Sequence, residues 1–192
     1  ELMVPTVGDY YVPEGMNNAK VLVRNENGIE LLSNICRHRQ ALLLKGRSNT
    51  KNIVCPIHRW TYALDGKLLG APHFTQNPCL NLDKTPLQNW NGLLFNGRRK
   101  VVQDMAKLSV LKDFDFSNYM LDRIQVDQYR CNWKTFVEVY LEDYHVEPYH
   151  PGLSRFVNTD KLEWEFGDWY SVQTVAIDNT RFQRPGSSVY AK

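Results

Sequence analysis

The sequence predicts an α+β chain, in which a β-rich N-terminal domain is followed by the start of a domain built from an antiparallel sheet and helices. Asn27-Gly28 and Asp65-Gly66 each lie between segments rich in apolar residues, which is typical of β-hairpin turns. Across residues 132–145, apolar side chains recur at three- and four-residue steps and predict an amphipathic helix. We therefore expect one domain over residues 1–108 and a second over residues 109–192.

The N-terminal domain is expected to consist of short strands joined by tight turns. A first hairpin covers residues 21–32, and the chain after Cys55 turns back at Asp65-Gly66. Residues 89–97 predict a late strand bounded by turn residues. Residues 101–112 predict a polar helical connection to the second domain.

The second domain is expected to place its helix against antiparallel strands. Three segments alternate apolar and polar side chains and predict strands, namely residues 119–127, 162–167 and 169–177. Asn132 fits the N-cap position of the helix. Pro148 disfavours helical geometry at the residue before it, so we expect the helix to end or kink near His145.

Two short pairs of cysteine and histidine indicate a metal centre in the N-terminal domain. Cys36 and His38 form a C-x-H pair, and sixteen residues separate it from the C-x-x-H pair of Cys55 and His58. In one kind of [2Fe–2S] cluster, two cysteines hold one iron and two histidines hold the other. Zinc accepts the same side chains, but zinc fingers more often place the second pair on a helix, and none is evident near His58. We therefore favour the iron–sulfur cluster.

The other cysteines, the net charge and the hydropathy of the sequence narrow the class of protein. Cys79 and Cys131 have no pairing pattern, and we expect both to be buried as small apolar residues. The formal net charge of +2 indicates no nucleic-acid partner, and Arg98-Arg99-Lys100 is expected to be a solvated turn. The sequence has no run of roughly 18 apolar residues and no basic-then-apolar leader. We expect a cytoplasmic protein without a membrane partner.

A second pair of histidines predicts a mononuclear iron site. His145 and His150 are five residues apart, a spacing that on an unbroken helix would direct their rings roughly 140° from each other. We expect Pro148 and Pro151 to break the helix and bring His150 back towards His145. Two histidines and one carboxylate form the facial triad that holds iron(II) in oxygenases.

Three segments resemble the α subunit, the terminal oxygenase, of the Rieske non-haem iron aromatic ring-hydroxylating oxygenases. They are C-R-H-R-Q from Cys36, C-P-I-H-R-W-T-Y-A-L-D-G from Cys55 and N-W-K-x₄-V-Y-L-E-D-Y-H-V-E-P-Y-H from Asn132. The resemblance extends from the first hairpin to at least Pro151. It implies a Rieske [2Fe–2S] domain followed by the start of a helix-grip catalytic domain.

The resemblance also implies which residues hold the cofactors. The cluster ligands would be the thiolates of Cys36 and Cys55 and the imidazoles of His38 and His58. His145 and His150 would bind the mononuclear iron. The family takes its third iron ligand from an aspartate beyond the helix. The later aspartates do not match the surroundings of that ligand, so none of Asp160, Asp168 and Asp178 is assigned, and we expect the catalytic domain to be incomplete here.

The family also places a carboxylate three residues before the first iron histidine. That position is Glu142, which would connect His145 to a cluster histidine of the neighbouring subunit and so carry the electron path. Glutamate here is more similar to the choline- and carnitine-type branch than to many ring-hydroxylating dioxygenases. Asp143 is the reserve candidate, because a slip of one residue in the helix would exchange the two carboxylates.

The function implied by the resemblance is that of a terminal oxygenase in a homotrimer. A flavin and iron–sulfur reductase, or a ferredoxin, would bring electrons from NAD(P)H to the cluster, and O₂ would be activated at Fe(II) to hydroxylate a small organic substrate. We expect an aromatic substrate. One alternative is a monooxygenase or demethylase of a quaternary amine, which the glutamate at position 142 favours. The other alternative is an electron carrier without catalysis. A zinc-stabilised binding module is a further rival.

Overall fold

The computed structural model describes residues 1–108, 115–116, 118–154 and 157–177. The chain divides into two compact units. The first comprises Glu1–Val101 and Phe116–Asp122, and the second takes in what is described of Val102–Asp115 and Arg123–Lys192. The cluster motifs lie in the first unit, and the predicted iron histidines lie in the second.

The first unit consists of short strands and one 3₁₀ turn at Glu14–Met16. The strands are β1 (Asp9–Tyr11), β2 (Lys20–Asn25), β3 (Gly28–Ser33), β4 (Arg47–Asn49), β5 (Ile53–Val54), β6 (Thr61–Tyr62), β7 (Leu68–Gly70), β8 (Lys84–Thr85), β9 (Leu87–Trp90) and β10 (Leu93–Asn96). A five-stranded sheet has the order β4-β1-β2-β3-β8, a three-stranded sheet has the order β5-β6-β7, and β9 pairs with β10. Every pairing is antiparallel.

Both expected hairpin turns are confirmed. Asn25 pairs with Gly28 at the end of β2 and β3, and β6 pairs with β7 across Asp65-Gly66. Gly66 has a φ of 85°, and an added Cβ there would lie 3.2 Å from Leu32. A side chain at this turn would therefore be strained by both its backbone and its neighbours.

One apolar core lies between the two larger sheets. It includes Val21 and Val23 from β2 and Ile53, Tyr62 and Leu68 from the three-stranded sheet, all of them fully buried. Alternation along β2 accounts for this, because every second side chain of a strand points to the same face. The core also takes in both cluster cysteines, so the cluster loops are attached to the best-packed part of the unit.

The late strand expected within residues 89–97 is β10, and its pairing with β9 makes the segment a hairpin. The turn is Asn91-Gly92, with φ values of 49° and 86°. Two consecutive left-handed residues match the type I′ turn that joins strands with their natural twist. The Asn-Gly signal in this segment therefore marks a turn.

Two expectations for the connecting region were wrong. The expected helix over residues 101–112 is reduced to α1 (Val101–Asp104), after which Leu108 N–H bonds to the Met105 carbonyl in a tighter i to i+3 turn. Residues 109–114 lie outside the described part. Residues 119–127 form no strand; they find no pairing strand among the described residues, and Met120 is 91% exposed.

The second unit contains two helices and a hairpin. They are α2 (Trp133–Tyr140), α3 (Val146–Tyr149), β11 (Val157–Phe166) and β12 (Ser171–Ile177). The antiparallel pairing of β11 with β12 confirms the two strands expected after the helix. Asn132 caps α2 as expected, because its side chain accepts a hydrogen bond from Lys134 N–H at 2.9 Å.

The helix ends earlier than the sequence indicated. α2 stops at Tyr140, where the N–H of Leu141 bonds to the Glu138 carbonyl, and a turn separates it from α3. Pro148 does not end a helix, since it lies within the first turn of α3, where backbone N–H groups have no intrahelical acceptor. The break therefore precedes His145.

The remaining cysteines are exposed, so the expectation that Cys79 and Cys131 are buried was wrong. Cys79 lies in an irregular segment with a φ of 56°, and Cys131 directly precedes the cap of α2. Both positions are set by local chain geometry and neither reaches a core. Among the described residues, no helix combines the length and the apolar composition that crossing a membrane requires.

Candidate iron–sulfur and iron sites

The two cluster motifs lie on loops with the same backbone geometry. In the first loop, Cys36 N–H donates to the Ala41 carbonyl at 2.8 Å, and Gln40 N–H donates back to the Cys36 carbonyl at 3.0 Å. The left-handed residue Gln40, with a φ of 56°, closes this turn.

The second loop repeats the arrangement step by step. Cys55 N–H donates to the Trp60 carbonyl at 2.8 Å, and Arg59 N–H donates to the Cys55 carbonyl at 3.1 Å. Arg59 has a φ of 62°. Each cysteine is thus held by its own backbone at the base of a closed turn, with its histidine at the tip.

The side chains of the two loops meet. Cys36 and Cys55 are each 1% exposed, and the ring centroids of His38 and His58 are 4.6 Å apart. His38 Nδ1 is buried and has no hydrogen-bond partner among the described residues. Burial lowers the pKa of His38, and its electrostatic interactions with His58 and Arg39 lower it further, which favours the neutral ring.

These residues fit a [2Fe–2S] cluster. Thiolates and neutral imidazoles are the ligands that such a cluster uses, with two protein ligands on each iron. An imidazole nitrogen that is buried without a partner is costly unless a ligand occupies it. No three His, Cys, Asp or Glu side chains are grouped around a single point in the described part of the chain.

Tyr62 is a residue of this site that sequence reasoning missed. Its hydroxyl lies 3.5 Å from Cys36 Sγ and accepts a hydrogen bond from Arg37 N–H at 3.1 Å. Burial raises the pKa of Tyr62, and the hydrogen bond with Cys36 raises it further, so the phenol keeps its proton and can donate to a thiolate. The signal was present in the sequence, because Tyr62 belongs to the motif that follows Cys55.

Replacing Tyr62 by Phe is expected to lower the reduction potential of the cluster by about 20–60 mV, the equivalent of one hydrogen bond. The donor stabilises the reduced cluster, which carries one more negative charge. Spectroelectrochemical titration measures the shift. Tyr10→Phe is the matched control, because Tyr10 also borders the core but lies on β1. An unchanged potential in Tyr62→Phe would exclude this role.

Asn34 fastens the first loop at its base and was also missed. The side chain is fully buried, and its Nδ2 donates to the carbonyls of Asn18 and Leu44, each at 2.9 Å. Its Oδ1 accepts from Leu44 N–H at 2.9 Å. The end of β3 is therefore tied to the segment that leaves the loop.

Replacing Asn34 by Ala is expected to reduce the free energy of unfolding by about 2–5 kcal/mol, because three backbone groups lose their partner in a buried place. Urea denaturation measures the change. Asn25→Ala is the control: Asn25 is 7% exposed, yet its Nδ2 has no partner among the described residues, and we expect a loss below about 1.5 kcal/mol. An equal loss of unfolding free energy in the two variants would contradict this role of Asn34 in holding the first loop.

The predicted iron histidines lie at the two ends of α3. His145 is its N-cap and His150 its C-cap, where φ −125° and ψ 57° turn the chain away from the helix. The ring centroids are 5.3 Å apart with an interplanar angle of 78°. The two rings are therefore neighbours across the single turn of α3, at a separation that leaves room for one ion with metal–nitrogen bonds of about 2 Å.

Glu142 contacts His145 in two ways. Its Oε1 contacts His145 Nδ1, and its Oε2 accepts from the His145 backbone N–H at 3.3 Å. Burial works to raise the pKa of Glu142, but the hydrogen bond and charge of His145 hold it below its usual value. With Nδ1 engaged by a carboxylate, Nε2 is the nitrogen left for a metal.

Within the described ranges, the other candidate carboxylates make no such contact. Asp143 offers its backbone carbonyl to Val146 N–H at 2.9 Å. Asp160 lies on β11 and Asp168 in the turn after it, and neither is grouped with the two histidines in the described part of the chain. Asp178 lies outside the described residues.

Comparison with known families gives two separate matches along the chain. A Rieske [2Fe-2S] domain matches residues 5–90, and the catalytic domain of ring hydroxylating alpha subunits matches residues 108–190. Among solved structures, a quaternary ammonium Rieske monooxygenase, CntA, matches 94% of this chain and 54% of its own with a TM-score of 0.78 at 24% identity. At that identity, the match shows the fold alone.

Two relatives of this chain are named for putrescine and for carnitine. Putrescine 2-hydroxylase of Ralstonia nicotianae is 61% identical over all 192 residues, and the carnitine monooxygenase oxygenase subunit of Escherichia coli K12 is 30% identical over 84% of this chain. The chain covers 52% and 47% of these two relatives, so it spans about half the length of the proteins it matches. The expectation of an aromatic substrate gains no support from them.

Proposed function

This chain belongs to the Rieske oxygenases that carry a ring-hydroxylating α-subunit catalytic domain, and from that premise we propose that its protein hydroxylates an aliphatic diamine of the putrescine type. The observation that carries the proposal is the 61% identity to putrescine 2-hydroxylase across every residue of the chain. This replaces the aromatic substrate and refines the quaternary-amine alternative, because putrescine carries primary ammonium groups.

The charge around the iron histidines supports a cationic substrate. Residues 135–154 contain four carboxylates and no lysine or arginine; the carboxylates are Glu138, Glu142, Asp143 and Glu147. A local excess of negative charge attracts a dication and gives no advantage to a neutral aromatic ring. Primary ammonium groups also have N–H donors for carboxylate oxygens, whereas a quaternary amine has none.

The reaction consumes one C–H bond, O₂, two electrons and two protons, and yields one C–OH group and water. The iron, when bound, supplies the activation of O₂. The residues of this chain supply orientation: Glu142 contacts His145 at Nδ1, which would leave Nε2 to bind the metal. Cys36 and Cys55 are buried, so their thiolates would hold one iron of the cluster from inside the core of the first unit. The electrons come from NAD(P)H through a reductase or ferredoxin.

Transfer between neighbouring subunits of a homotrimer is part of the same proposal. The cluster loops carry exposed Arg39 and Arg59 beside the histidines, while the segment around His145 is acidic. Opposite charges on the two surfaces favour their association between copies of the chain. We expect sedimentation to give a mass of about three chains, and high salt to slow turnover by screening these charges.

The test is turnover by the full-length protein with its reductase, NAD(P)H and O₂. We expect putrescine to gain one oxygen, measured by mass spectrometry with ¹⁸O₂, while carnitine and naphthalene serve as competing substrates. Iron analysis on the same sample is expected to give about three irons per chain.

Each rival gives a different result. Product from carnitine and none from putrescine would favour the quaternary-amine alternative, and product from naphthalene alone would restore the aromatic one. About two irons per chain with no product from any substrate would indicate an electron carrier. Any of these outcomes overturns the diamine proposal.

A further inference from the structure

The two cluster histidines have different surroundings. His38 lies flat against the indole of Trp60, with ring centroids 4.9 Å apart and an interplanar angle of 3°. Phe74 meets both rings edge-on, at 5.3 Å from Trp60 and 6.1 Å from His38. His58 is exposed, and its one ring neighbour among the described residues is His38.

The ring that completes this arrangement comes from a segment without cluster ligands. Phe74 follows β7 and is held by a turn in which its N–H bonds to the Ala71 carbonyl at 3.2 Å. It is 49% exposed, so little of the folding energy depends on it. The plane of the ring is nearly perpendicular to the planes of Trp60 and His38, with interplanar angles of 88° and 90°.

Trp60 contributes a flat surface more than a hydrogen bond. It is 1% exposed, and its Nε1 has no partner among the described residues. A buried donor without an acceptor costs about 1–3 kcal/mol, so the indole is maintained here for its packing. The indole ring packs against the imidazole of His38.

We propose that Trp60 and Phe74 form an aromatic cover that fixes the ring of His38 and keeps water from one side of the cluster, so that Phe74 is a positioning residue that lowers the cluster's reduction potential. Reduction adds one negative charge to the cluster. Water stabilises that charge through its high dielectric constant and by hydrogen bonding to sulfur, and an apolar ring does neither. Offset and edge-on ring contacts also restrict rotation of the imidazole.

Phe74→Ala tests the cover in the full-length protein loaded with its cluster. We expect the ratio of reduced to oxidised cluster, at a fixed applied potential, to rise about threefold, which is roughly 28 mV for a one-electron couple. The paramagnetic resonance spectrum of the reduced cluster is expected to broaden, because the imidazole then takes several orientations. Phe74→Tyr keeps the ring and should restore both properties.

Leu69→Ala is the matched control. Leu69 is 51% exposed on β7 and belongs to none of the ring contacts, so its removal should leave potential and spectrum unchanged. A wild-type potential and spectrum in Phe74→Ala would overturn the proposal, and so would an equal shift in Leu69→Ala. Both readouts are taken without substrate, so they stand apart from the diamine proposal.

Discussion

Replacing His145 by Ala is expected to abolish hydroxylation while leaving the Rieske cluster intact. The iron would lose one of the two imidazoles that α3 brings within 5.3 Å of each other, and with it the ring that Glu142 orients. Iron content should fall from about three to about two per chain. The visible spectrum of the cluster should not change, because its ligands lie on separate loops of the first unit.

His73→Ala is the control for this substitution. His73 is an exposed loop residue with a φ of 68°, and we expect full iron content and turnover without its imidazole. Retention of the mononuclear iron in His145→Ala, with normal product formation, would exclude the iron site at α3. Loss of the cluster signal in the same variant would show that the two centres are not separate.

Replacing Glu142 by Gln is expected to reduce turnover by about 10- to 100-fold, the usual loss when the partner of a metal-bound histidine is changed. Glutamine keeps the size of the side chain but removes the charge that holds the His145 N–H. The measurement is single-turnover product formation from enzyme whose cluster has been reduced beforehand. This isolates electron transfer and chemistry from the reductase.

Asp143→Asn is the matched control, because it neutralises the adjacent, half-buried carboxylate, for which no contact with the His145 ring is found. We expect turnover to remain within about twofold of wild type, because this carboxylate does not orient the His145 ring. A large loss in Asp143→Asn, with normal turnover in Glu142→Gln, would move the electron path to Asp143.

The local turns and the pairing of motifs could be predicted from the sequence. Asn27-Gly28 and Asp65-Gly66 are short-range signals whose backbone preference decides the structure, and both are hairpins. The end of α2 could not be predicted in this way. The carboxylate of Glu142 accepts the backbone N–H of His145, and such local bonds compete with helix continuation.

The main features that the sequence did not predict are contacts between segments that are distant in sequence. Asn34 bonds to Asn18 and Leu44, and Phe74 reaches His38 from beyond β7. Neither residue type carries a motif, and its importance depends on which loops the fold brings together. Burial of the cysteines was misjudged for a similar reason, since Cys79 has the same intrinsic preference as Cys36 but no strand to carry it inward.

The position of two imidazoles at opposite ends of α3 has a dynamic consequence. A single ion held by both would connect the two ends of one helical turn whose residues are otherwise mostly exposed. Amide hydrogen exchange over residues 142–150 should therefore slow when ferrous ion is added, while exchange in β2 and β3 stays the same. The conformational order of residues 142–150 would then depend on whether iron is bound.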